Sequence, residues 1–244
     1  MRVIKLTVAY DGTDFAGWQR QAEHRTVQAV LEAALEPVEG RRVAVAGAGR
    51  TDAGVHADGQ VASFALDSAI PLTDLLRALN ARLPADVRAL AAEEAPEAFH
   101  ARFSARLKTY HYRVCTQDVL PPLARRSAWH VPGRLDRAAM DRAAASLVGR
   151  HDFAAFQSSG SAVRTTVREL ARSVLVDDPV GLRYEVCGTG FLRHMVRAIV
   201  GTLVEVGRGR LPADAVPALL DGRDRAAAGP TAPPQGLVLH EVAY

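Results

Sequence analysis

The 244-residue chain holds two cysteines, two lysines, a single asparagine and only 6% aromatic residues, and no apolar run is long enough to span a membrane. Cys115 and Cys187 stand far apart without a CxxC partner, which excludes a disulfide framework and a thiolate metal knuckle and predicts reduced core cysteines in a cytoplasmic protein. With Lys5 and Lys108 the only lysines among 30 basic residues, the other 28 are arginine. Arginine suits bidentate contacts to phosphate and stacks on bases. The same bias, with abundant alanine, also follows from GC-rich coding, so composition alone does not select a nucleic-acid partner. The first residues, MRVIKLTVAYDG, alternate like a strand and lack the continuous apolar stretch of a signal peptide.

Familiar chemical motifs are also missing. The glycines of GAG at 47–49 are followed by Asp52 at the sixth position and then by a strand, so the dinucleotide fingerprint fails. No Gly-Lys-Ser/Thr phosphate loop and no GxSxG elbow occurs, and Ser158-Ser159-Gly160-Ser161 reads as a flexible turn.

What is present is periodicity. A strand over 3–10, a helix capped by Thr26 and ending before Pro37 or near Gly40, two strands around 43–45 and 61–64, a helix from Pro71 stopped by Pro84, and a strand near 86–92 give the order β-α-β-β-α-β. The second half repeats it: a strand over 107–115, a Pro-containing connection to Gly133, a helix over 136–148, strands at 166–176 and 182–187, helices at 194–206 and 212–220, and a closing strand over 237–242. The fold class is therefore α+β, with two ferredoxin-like halves sharing a central, mostly antiparallel sheet and helices packed on one side. The halves are 1–104, carrying an aspartate loop, and 105–244, completing a cleft. The Pro-rich patch at 226–234 reads as an ordered loop leading to the last strand.

The chain is organised around VAVAGAGRTDAGVHADGQVASF, residues 43–64, where apolar flanks hold a polar centre. Functional groups sit on loops positioned in this way, and Asp52 stands out, although a turn aspartate beside a solvated Arg50 fits the same pattern. Asp52, His56 and Asp58 are the residue types of a divalent metal site, but no second ligand cluster completes one, and no metal is expected. Strand alternation sends Lys108, Tyr110 and Tyr112 to one face, either as a base-stacking surface or as core. Arg193 and Arg197 are one helical turn apart on the margin of an apolar stripe, where an arginine needs an anionic partner such as the loop carboxylate. Arg20, Arg25, Arg102, Arg106 and Arg164 could contact phosphate or simply be solvated.

At GRTDAGVHA a family resemblance becomes visible. The chain resembles the tRNA pseudouridine synthase A family over essentially its full length, through YDGTDFAGWQRQ from Tyr10, GAGRTDAGVHADGQV from Gly47, LNARLPADV from Leu79, FHARFSARLKTYHY from Phe99, FLRHMVRAIVGTLVEVG from Phe191 and GLVLHEVAY from Gly236. Loops 119–126 and 157–162 match least and receive no role. The resemblance implies that Asp52 is the catalytic carboxylate, as nucleophile or base, with Arg197 its partner and Arg50 an aid to flipping the target base. It implies that Tyr110 stacks on the uracil and Leu237 lines its pocket. Lys108, Arg20, Arg106 and Arg193 are expected to contact RNA, and His56 to support the loop. The implied substrate is uridine 38, 39 or 40 of the tRNA anticodon arm, and the implied enzyme a cofactor-free homodimer.

Overall fold

The computed structural model describes residues 1–158 and 163–244, so the turn predicted at 158–161 lies, from Ser159 onward, outside the described residues. The chain divides into two compact units, Met1–Arg106 with Val238–Tyr244, and Leu107–Leu237.

The first unit follows the expected order. β1 (Arg2–Tyr10), α1 (Val27–Glu39), β2 (Ala46–Gly47), β3 (His56–Leu66), α2 (Leu72–Arg82) and β4 (Val87–Ala95) succeed one another. β1 lies between β3 and β4, antiparallel to both, and β2 pairs antiparallel with β3, giving the order β4-β1-β3-β2. Period-2 patterning explains β1: Ile4, Leu6 and Val8 are fully buried while their neighbours are half-exposed. Thr26 caps α1 as predicted, with Oγ1 accepting from the Ala29 amide, and Val27, Leu31, Ala34 and Leu35 form its buried stripe. Pro37 is tolerated in the last turn, and the stop is Gly40, whose φ of +75° closes the helix in the left-handed region.

The strand predicted at 43–45 falls instead at Ala46–Gly47. Val43 and Val45 are buried, but helix side chains take the hydrogen bonds of Val45: its N–H donates to Glu32 Oε1 at 3.3 Å and its carbonyl accepts from Gln28 Nε2 at 3.0 Å. With its backbone satisfied by α1, this stretch needs no strand partner.

The second unit comprises β5 (Leu107–Cys115), β6 (Trp129–His130), α3 (Arg137–Ala145), β7 (Gly149–Asp152), β8 (Val167–Asp178), β9 (Gly181–Gly188), α4 (Met195–Gly207) and α5 (Ala215–Gly222). Its sheet runs β5-β9-β8-β7, antiparallel throughout, with β6 parallel on β5. α4 is buried around most of its circumference, and the predicted Pro-rich loop crosses it at close range. A Cβ on Gly201 would lie 1.6 Å from the Pro230 carbonyl oxygen, while the Gly229 amide donates to Thr202 Oγ1 at 3.0 Å. Two backbones can touch this closely only where a side chain is missing.

The closing strand, β10 (Leu237–Ala243), differs from the expected grouping of residues 105–244: from Val238 onward it belongs to the first unit. There Val238 and Leu239 pair parallel with His56 and Ala57 of β3, on the edge that β2 leaves uncovered, and the Ala243 carbonyl accepts from the Arg106 amide at 2.9 Å. Among the described residues the architecture is thus α+β with mostly antiparallel strands.

Candidate functional site

The polar centre of the first unit is a loop, residues 48–55, held against the segment 12–19. Five contacts join them, and Gly47 of β2 adds a sixth to the same segment. The Trp18 amide donates to the Thr51 carbonyl at 3.0 Å, and the Gly54 amide to the Phe15 carbonyl at 3.3 Å. Arg50 Nε donates to Gln19 Oε1 at 3.0 Å. Three glycines permit the approach. A Cβ on Gly12 would sit 1.9 Å from the Val55 oxygen, on Gly17 2.7 Å from the Thr51 oxygen, and on Gly47 2.4 Å from the buried Trp18 ring. The 12–19 segment is in turn locked by α1, whose first amides, Val27 and Gln28, donate to the Gly17 and Trp18 carbonyls. Helix-start donors that would otherwise be orphaned thereby fix the loop.

Within this frame Asp52 is half-buried at the start of a tight turn. Its carbonyl accepts from the Val55 amide at 3.1 Å, with Gly54 at φ +77° in the third position. Thr51 is buried, and its Oγ1 lies 2.8 Å from Tyr10 Oη. Burial pushes the Tyr10 phenol up to about 12, against the opposing pull of its hydrogen bonds with Thr51 and Gln60, so it stays neutral at physiological pH. Arg50 is exposed, and its partner Gln19 is held by Gln28, whose amide reaches Glu32 and the Val45 carbonyl.

The predicted loop is shorter than 46–60, because His56 and Asp58 lie in β3. His56 supports the loop: it is 8% exposed, and its Nδ1 accepts from the Gly12 amide at 3.0 Å. That bond puts the proton of the neutral ring on Nε2, which is buried without a protein partner. Asp11 Oδ1 also approaches Nδ1 at 3.1 Å, but the same oxygen accepts from the Thr13 amide and hydroxyl, so the Gly12 bond sets the tautomer. Asp58 is exposed and 3.5 Å from His240 Nδ1. Among the described residues no three His, Cys, Asp or Glu side chains gather as metal ligands.

In the second unit Tyr110 is only 8% exposed, with its ring edge-on to Phe191 at 5.0 Å. Tyr112, which shares its face, is core. It is fully buried, its Oη donates to the Pro233 carbonyl at 2.8 Å, and Gly236 lies so close that a Cβ there would meet the ring at 2.6 Å. Of the two readings that alternation left open, Tyr112 takes the core one, because the Pro-rich loop before β10 closes over its ring. Leu237 is buried directly after a single 3-10 turn, Pro234–Gly236.

Arg197 is half-buried on α4, and Nε donates to the Ala232 carbonyl at 2.7 Å while its own carbonyl accepts from the Ala232 amide. Arg193 does not share that helical face, contrary to expectation. Helix α4 starts at Met195, and His194 takes φ +61°, a left-handed conformation that breaks the helix between the two arginines. Of the other predicted RNA-contacting cations, Arg106 is exposed and Lys108 half-buried, while Arg20 is ion-paired with Glu32. Arg25 is also engaged, by a bidentate pair with Asp86 at 2.8 Å and by stacking 4.0 Å over Phe15. Sequence reasoning missed Gln60, whose signal was an amide opening the mostly apolar run 61–64, and it missed Tyr10 and Gly17 as supports of the Asp52 turn.

A polar loop with a carboxylate and an arginine, built on an α+β scaffold, defines a class of enzyme only when its sequence context is known. The profile described as tRNA pseudouridine synthase matches residues 6–104 and 143–244, and the chain belongs to that family. It is accordingly a pseudouridine synthase, an isomerase acting on tRNA uridine. Similar proteins are named tRNA pseudouridine synthase A. That of Syntrophotalea carbinolica is 50% identical over 244 residues, covering 100% of this chain and 97% of its own. That of Geobacter sp. (strain M21) is 49% identical over 245 residues, covering 100% and 99%. That of Myxococcus xanthus is 49% identical over 243 residues, covering 99% and 91%.

Proposed function

We propose that this chain isomerises uridine to pseudouridine at positions 38, 39 and/or 40 of the tRNA anticodon stem-loop, as a homodimer in the cytoplasm and without a cofactor. The reaction breaks the N1–C1′ bond, turns the uracil, forms C1′–C5 and moves the C5 proton to N1, so atoms and oxidation state are conserved. Asp52 acts as nucleophile or base, and Arg197 is its cationic partner. Arg50, exposed at the tip of a rigid loop, takes the space of the flipped base, offsetting an unstacking cost of roughly a few kcal/mol. Tyr110 stacks on the uracil and Leu237 closes its pocket, while Lys108, Arg20, Arg106 and Arg193 contact the RNA backbone.

The observation that supports this reading most directly is the packing of 12–19 onto 47–55 through six contacts, which fixes the backbone around Arg50, Thr51 and Asp52 while leaving Arg50 exposed. A merely structural turn would not need three glycines and a helix start to immobilise it. The test is incubation of C5-tritiated, unmodified tRNA with wild type and Asp52→Asn, with chemical mapping of the product. Tritium release and pseudouridine confined to the anticodon arm are expected from wild type, and tRNA binding without release from Asp52→Asn. Residual turnover by that variant, or modification elsewhere in the tRNA, refutes the assignment.

A further inference from the structure

Two buried polar side chains of the first unit, Gln60 and Tyr10, converge on the two residues that flank Arg50. Gln60 is 0% exposed on a strand that runs on through Val61, Ala62 and Phe64. Burying an amide is costly unless both of its ends are bonded. Here Nε2 donates to the Gly49 carbonyl at 2.9 Å, and Oε1 accepts from the Val61 amide at 3.2 Å. Tyr10, 5% exposed, places Oη 2.8 Å from Thr51 Oγ1 and 3.5 Å from Gln60 Nε2. Gln60 thus grips the peptide before Arg50, and Tyr10 the side chain after it.

Their aim comes from an irregularity in the sheet. Val8 is opposite Gln60 and Tyr10 is opposite Ala57, so β3 spans three steps where β1 spans two. A bulge of this kind turns side chains away from the regular pleat and is common beside active sites. Packing alone does not call for these residue types, since apolar groups of the same shape in place of a bonded buried pair are close to neutral for stability.

We propose that Gln60 and Tyr10 are positioning residues for the isomerisation, fixing the Gly49 carbonyl and Thr51 hydroxyl so that Arg50 and Asp52 keep their mutual geometry. This rests on the assignment of the chemistry to Asp52 and Arg50. Neither Gln60 nor Tyr10 touches the substrate; each acts through the loop.

The test uses Tyr10→Phe, Gln60→Met, Thr51→Val, Thr51→Ser and the double variant Tyr10→Phe/Thr51→Val in the full chain. Steady-state rates on unmodified tRNA would be measured alongside melting curves. A displacement near 1 Å costs about 100-fold in rate, so kcat is expected to fall about 10- to 100-fold in Tyr10→Phe, Gln60→Met and Thr51→Val, with KM within about twofold. Thr51→Ser, which keeps the hydroxyl, should retain most of the rate. The double variant should be no slower than its slower parent, because both changes remove one hydrogen bond. Folded Tyr10→Phe and Thr51→Val with wild-type kcat overturn the proposal, as does a rise in KM with kcat intact. If Gln60→Met does not fold, the conservative Tyr10→Phe and Thr51→Ser pair still decides it. Asp52→Asn in the same assay separates the two readings. Turnover in that variant refutes the catalytic assignment, whereas a dead Asp52→Asn with fully active Tyr10→Phe and Thr51→Val refutes only the positioning roles.

Discussion

Gly17 is where the aspartate loop is most sensitive to a single methyl group. Its φ is +101°, outside the range L-residues adopt readily, and a Cβ there would lie 2.7 Å from the Thr51 carbonyl oxygen, 3.2 Å from the Asp52 carbonyl carbon and 3.3 Å from the Ala53 amide nitrogen. Gly17→Ala therefore meets two penalties. The left-handed backbone costs about 1–2 kcal/mol, and crowding against a backbone that cannot swing aside about 1–3 kcal/mol. Restricting the unfolded chain returns about 0.4–1 kcal/mol. The expected net loss is about 1–5 kcal/mol, or about 2–20 °C in Tm for a chain of this size. Gly40→Ala isolates the contact, because Gly40 has φ +75° but nothing within 4 Å of its Cβ position. That variant should lose about 1 kcal/mol or less, with no change in kcat. Calorimetry gives the two stabilities, and tritium release at 25 °C, where both variants are folded, gives the two rates. Because the strain in Gly17→Ala falls on the peptide joining Thr51 to Asp52, its kcat should drop at least about tenfold. Equal stability losses for the two alanines, or wild-type kcat in Gly17→Ala, would show that the 12–19 segment merely lies beside the loop and does not set its geometry.

Alkaline unfolding should be steep. Burial raises Tyr10 to about 12 and pushes Tyr112, Tyr184 and Tyr244 upward as well, so the folded chain holds protons that the unfolded chain releases near 10. Stability is then full below pH 10 and falls as pH rises toward the folded values, with Tyr10 alone accounting for about 2 kcal/mol by pH 12. Tyrosinate absorbance at 295 nm should rise together with loss of the far-ultraviolet signal, and Tyr10→Phe should flatten the slope; ionisation of the buried tyrosines in a still-folded chain would contradict this. Tyr112→Phe leaves the Pro233 carbonyl without its 2.8 Å donor and should cost about 1–2 kcal/mol in urea unfolding. A neutral result would mean the loop before β10 does not depend on that bond.

Much of this fold could be read from the sequence because one-sided burial writes itself into residue order. β5 was predicted to the residue, since Tyr110, Tyr112 and Val114 are buried while Thr109, His111 and Arg113 between and before them are half-exposed. The α1 boundaries were legible for a different reason: Thr26 and Gly40 are local stop signals that require no tertiary information. β7 was invisible. Its GRHD carries no apolar alternation, and it is a strand only because β8 offers an edge to pair with. The membership of β10 was misjudged on similar grounds, because a period of two locates a strand without naming its partner.

The site shows the same division between local and distant causes. Asp52 and Arg50 could be picked out because a carboxylate and a guanidinium amid glycines are conspicuous at short range, and the family resemblance gave them roles. What holds them could not be read, since Gly17, Tyr10 and Gln60 reach the loop only after the chain has folded back across β1 and β3. Arg193 was misplaced, and Tyr112 was left open between stacking surface and core, for the complementary reason: periodicity does not show the points where one residue decides. At Arg193 that residue is His194, whose backbone stops the helix, and at Tyr112 it is Gly236, whose missing side chain lets a loop close over the ring. In both cases the deciding feature is a backbone conformation or a missing side chain, which hydrophobic patterning does not encode. The residues that carry chemistry in this chain are therefore easier to find in the sequence than the residues that aim them, and the aiming residues are where mutation should separate rate from binding.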